Sequence, residues 1–150
     1  MNPKHLPRIL FVIRLILGIT FLLSGIGKLI NSEDARYLVE LMSMEFYWLI
    51  EYQTAIVLSI TIAELILAFL LLTGKFLRLA FTCALLLLIF MISVIGFFQF
   101  QDISFDSCGC FGVFDILTGP VATLVKNIVL GAACIAGIRI KMALLKADKA

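Results

Sequence analysis

Cys108 and Cys110 stand one residue apart in the stretch Asp106-Ser107-Cys108-Gly109-Cys110-Phe111-Gly112-Val113-Phe114, the one place where two cysteines fall close together. A disulfide across a single spacer closes a very small ring. The stabilising power of a disulfide grows with the loop it closes, so this one offers little stability and invites strain. Strained disulfides are the labile or catalytic ones. Gly109 suits such a ring, because it reaches tight backbone angles cheaply. The chemistry these residues point to is thiol–disulfide exchange. Two soft thiolates can also hold copper(I) or mercury(II), so metal transport or chaperoning is a second reading. A third is a non-catalytic anchor that holds a redox enzyme at a membrane.

The elements that must position this pair are almost wholly apolar. The chain has 150 residues, 63% hydrophobic and 15% charged, with a mean hydropathy of +1.15. Soluble domains are nearer half apolar and a quarter charged, so the natural solvent here is a lipid bilayer. The formal charge of +2 forms no basic stripe outside the hydrophobic runs and their flanks, which argues against nucleic-acid binding. Four apolar runs, residues 9–30, 54–73, 77–100 and 120–140, are each long enough to span a bilayer. The fold class is therefore all-α, a polytopic four-helix transmembrane bundle in one domain over residues 1–150. The first run follows the basic start Lys4, His5 and Arg8 and is not followed by an Ala-x-Ala pattern, so it reads as a retained span rather than a signal peptide.

Between the first two runs, Asn31 can cap a helix whose first turn carries Glu33 and Asp34. Arg36, Glu40, Ser43, Tyr47 and Glu51 then recur as a polar stripe, with Leu38, Leu41, Met42, Phe46, Trp48 and Leu49 on the remaining surface. This is a short amphipathic helix, either lying in the membrane interface or packed on the bundle as a lid.

An even number of spans puts both termini on one side. That side collects Lys4, Arg8, Arg14, Lys75, Arg78, Arg139, Lys141, Lys146 and Lys149, whereas the other holds Lys28, Arg36 and Lys126. Nine against three places the termini in the cytoplasm and the Cys108–Cys110 loop on the periplasmic face of a bacterial inner membrane, where disulfides can form. Pro120 starts the fourth helix and aims its positive end at the loop. Lys28 and Lys126, at the outer ends of the first and fourth helices, would also favour thiolate. Cys83 and Cys134 lie near the cytoplasmic ends of their helices, on the wrong side to exchange with the pair, and read as small hydrophobes. His5 is on the opposite face from the pair, so no closed zinc site forms and no metal is assigned.

Glu64 falls near the middle of the second span. An ionisable group there costs about 2.5–3.5 kcal/mol to insert, so it should face the bundle interior with a partner. Arg14 is the expected partner, giving an intramembrane Arg14–Glu64 pair; a proton path or a polar wall for a quinone is the functional alternative. Phe97, Phe98, Phe100, Phe105, Phe111 and Phe114 crowd the Cys loop as an interfacial belt, or as the wall of a slot for a quinone ring.

Across nearly its whole length the sequence resembles the MauE/DoxX-like redox-associated membrane proteins. The resemblance rests on Arg14, Gly18, Phe21, Ser24-Gly25 and Lys28 in the first helix, Glu64, Gly74 and Arg78 around the second, Cys108-Gly109-Cys110-Phe111-Gly112 in the loop, and Lys126-Asn127 opening the last helix. It implies a four-helix inner-membrane protein that works with a periplasmic thioredoxin-like partner, with Cys108 and Cys110 as the exchanging pair and quinone as a possible electron acceptor.

Overall fold

A computed structural model describes residues 6–44, 46–100 and 120–147. The elements are α1 (Leu6–Ile30), α2 (Glu33–Ser43), a 3-10 turn (Tyr47–Leu49), α3 (Gln53–Thr73), α4 (Leu77–Phe100) and α5 (Pro120–Ala147). Among the described residues, α1, α3, α4 and α5 are long and apolar enough to cross a membrane. The shortest, α3, has 21 residues, a rise of about 32 Å against a hydrocarbon core of about 30 Å.

Four helices lie over the four apolar runs, and two extend further: α1 starts at Leu6, before residue 9, and the last helix runs past residue 140. The last helix continues past Ile140 to Ala147, because Lys141-Met-Ala-Leu-Leu-Lys are all good helix formers.

The four long helices alternate in direction. One end of the bundle gathers the starts of α1 and α4 and the ends of α3 and α5; it is called here the hairpin end, after the Gly74 turn. The other, the loop end, gathers Ile30, Gln53, Phe100 and Pro120. Each helix packs against two others in the order α1, α3, α4, α5 and back to α1, with α1 on α3 and α4 on α5 the most extensive contacts. Small residues allow the close approach: a Cβ at Gly18 or Gly25 of α1 would run into Leu72 or Leu65 of α3, and one at Gly137 of α5 into the Phe81 ring. At the hairpin end Gly74 closes α3 at φ +75°, the left-handed conformation that favours glycine.

The core, including Leu17, Phe21, Leu71, Phe81, Ala84 and Cys134, fills the hairpin half. Outward faces are apolar as well, for example Ile16, Ile62, Phe69, Phe90 and Val129. Such a surface is compatible with lipid and not with water, so the environment of this chain is a bilayer.

The lid reading of the amphipathic helix is the one the structure selects. Leu38 and Leu41 of α2 are buried in a cluster with Met91, Val94, Ile95 and Phe98 of α4. The Asn31 carboxamide oxygen accepts the Glu33 N–H at 3.0 Å, which supplies the expected start signal. Ser43, placed on the polar stripe from sequence, is buried instead, its hydroxyl donating to the Glu40 carbonyl. Tyr47, Trp48 and Tyr52 remain exposed, as an interfacial belt requires.

Candidate functional site

The polar centre of the bundle forms between two antiparallel helices. Side chains on a helix lean towards its N-terminus. Lys28, in the last turn of α1, therefore leans inward from the loop end, while Glu64, midway along α3, leans towards the loop end. The two leanings converge. Lys28 Nζ donates to Glu64 Oε1 at 2.5 Å, with both side chains 4% exposed. Ser24, one turn before Lys28, completes a closed ring: Lys28 Nζ donates to Ser24 Oγ at 3.0 Å, and Ser24 Oγ donates to Glu64 Oε2 at 3.0 Å.

This corrects the expected pairing. Glu64 is carried by Lys28, not Arg14. The Arg14 guanidinium stacks 5.0 Å above the Phe11 ring and lies against Gly74 at the hairpin end. The error comes from judging reach by depth alone. Arg14 also leans towards the start of α1, away from Glu64, so its length does not help. The signal that would have found the pair is the i, i+4 spacing of Ser24 and Lys28 together with the direction of lean.

Two more polar residues are buried on α5 at the same level. Thr123 and Asn127 are one turn apart, at 0% and 3% exposure. Asn127 shares a cavity of about 20 Å³ with Ser24, Glu64, Thr20, Phe21 and Met91. Lys126 beside it is half-buried. On the opposite side of the ring, Lys28 walls a groove of about 180 Å³ with Ser32, Arg36, Thr54 and Thr61. A third, apolar cavity of about 60 Å³ lies under the lid, lined by residues of α2, α3 and α4 and bordered by Lys28. Lys28 therefore stands where lid, groove and ion pair meet.

Of the other residues singled out from sequence, Cys108, Gly109 and Cys110 lie outside the described residues, as do Phe105, Phe111 and Phe114. Cys134 is buried in the core as a small hydrophobe and Cys83 is exposed on the outer face of α4. Phe98 is buried under the lid and meets Phe97 edge to face, with centroids 5.9 Å apart. Phe97 and Phe100 face outwards. Among the described residues no group of three His, Cys, Asp or Glu side chains could hold a metal ion.

The arrangement is a charged, hydrogen-bonded ring inside a membrane bundle, set towards the end at which α4 and α5 meet the Cys-bearing segment. Residues 6–140 match the model of the family described as methylamine utilisation protein MauE. No curated protein and no solved structure matches the sequence.

Proposed function

The chain belongs to the MauE family, and from that membership together with the placing of its helix ends we propose that it is a membrane thiol–disulfide oxidoreductase component. The observation that carries this reading is topological. Phe100 and Pro120 end at the same face of the bundle, so the segment with Cys108 and Cys110 is tied to the loop end. The charge asymmetry supports placing that end on the periplasmic side of a bacterial inner membrane, with the termini cytoplasmic.

The exchange runs in two displacements. A thiolate of the pair attacks one sulfur of a disulfide in a periplasmic thioredoxin-like partner, forming a mixed disulfide and expelling a partner thiolate. The second cysteine then attacks the mixed disulfide, which leaves a Cys108–Cys110 disulfide and a dithiol partner. Two electrons and two protons pass to the partner, and the reverse sequence returns them. Where the pair acts as the oxidant, Cys108 and Cys110 return to the disulfide by giving up two electrons and two protons, which a membrane quinone would accept. The segment leads in sequence into the start of α5 at Pro120, and the positive end of a helix favours a thiolate held near it.

Single Cys108→Ser and Cys110→Ser variants test this. One of them should accumulate a mixed disulfide with a periplasmic protein, visible as a band that reductant removes. Stoichiometric copper or mercury on the reduced protein with no such adduct would favour metal handling instead. Full activity of the double variant would leave only an anchor.

A further inference from the structure

Asn127 is a carboxamide 3% exposed inside a membrane bundle, and its Nδ2 is buried with no hydrogen-bond partner. Buried amide donors in folded proteins are paired, with protein or with water, because an unmade bond leaves the full cost of desolvation. The cavity on which Asn127 borders answers this. Its volume of about 20 Å³ exceeds the roughly 10–15 Å³ that one water requires. Its wall also carries acceptors. A carboxylate offers about four lone-pair sites; Lys28 donates to one oxygen of Glu64 and Ser24 to the other. The Thr20 hydroxyl donates to the Ile16 carbonyl and keeps its own lone pairs.

We propose that this cavity is a water site, in which one ordered water accepts from Asn127 Nδ2 and donates to the Glu64 carboxylate. The ring of Lys28, Ser24 and Glu64 is built from α1 and α3; the water ties it to Asn127 on α5. Asn127 is then a positioning residue, and it fixes α5 near the end from which the Cys-bearing segment starts. The polar groove walled by Ser32, Arg36, Thr54 and Thr61 reaches Lys28 from the other side, so the ion pair stands between a polar opening and a hydrated interior. A buried carboxylate with a water beside it is also a group that can exchange a proton.

Radiolytic hydroxyl labelling of the full chain in lipid tests this without reference to the cysteines, because radicals formed from bound water mark the side chains beside it. Phe21 lines the cavity, whereas Phe81 is fully buried in the core and does not line it. Phe21 should label several-fold faster than Phe81, and Asn127→Leu should bring the two rates together and lower the melting temperature. Phe21 labelling no faster than Phe81, or undiminished in N127L, overturns the proposal. So does a higher melting temperature of N127L, the result expected for an orphaned donor. The wild-type ratio alone decides if N127L does not fold.

Discussion

Replacing Lys28 by Met should destabilise the bundle strongly, and replacing Glu64 by Leu in the same chain should restore it. The two charges touch at 2.5 Å with 4% exposure each. At an effective dielectric near 20 their attraction is about 6–7 kcal/mol, and desolvation of two ions takes back several kcal/mol each. The net worth of the pair is therefore small, but either half alone is expensive. Breaking a buried pair by removing one partner costs about 3–5 kcal/mol, whereas replacing both by well-packed apolar groups is often neutral. K28M alone should therefore lose about 3 kcal/mol or more, and K28M/E64L should fall within about 1 kcal/mol of wild type, a coupling of at least about 2 kcal/mol. Cys134 reports unfolding directly, since it is 0% exposed in the core. In a background with Cys83, Cys108 and Cys110 replaced by Ser, the temperature at which Cys134 reacts with a maleimide dye gives the stability of each variant. A K28M loss below about 1 kcal/mol, or additive effects of K28M and E64L, would refute the reasoning.

The same assay separates Arg14 from the pair: R14A and E64Q should be additive to within about 0.5 kcal/mol, since Arg14 stacks on Phe11 whereas Glu64 pairs with Lys28. Gly74→Ala should cost about 1 kcal/mol or more, because φ is +75° there and the added Cβ meets the Arg14 guanidinium; an unchanged unfolding temperature would contradict the turn. Leu38→Asp should detach the lid, since Leu38 is 8% exposed against α4 and an unpaired charge does not stay in that cluster. Faster backbone hydrogen exchange confined to α2 is the expected reading, and protection equal to wild type would show that the lid does not depend on this packing.

The helices were legible because a bilayer leaves few choices. Every backbone polar group must be satisfied within the span, so apolar runs of about twenty residues can only be helices, and Gly74 marked the turn between two of them. The lid was half legible. The alternation of Leu38 and Leu41 with charged residues defines an amphipathic helix, but an interfacial surface and a packed lid want the same pattern. The choice depends on whether α4 offers a complementary face, which Met91, Val94 and Phe98 do. The partner of Glu64 was not read correctly, because depth along a helix is plain in a sequence and the lean of a side chain is not. Asn127 was legible only as half of a dipeptide; its burial against Ser24 and Glu64 depends on the rotation of α5, which an almost uniformly apolar helix does not announce.

The most direct test of the central claim is the redox state of Cys108 and Cys110 in cells, read by differential thiol alkylation with and without a quinone supply. Thiol–disulfide exchange predicts both dithiol and disulfide forms, interconverted by reductant and oxidant, with the balance moving towards dithiol when quinone is withdrawn from an oxidising pair. Two thiols that stay reduced and alkylatable under every condition would contradict it.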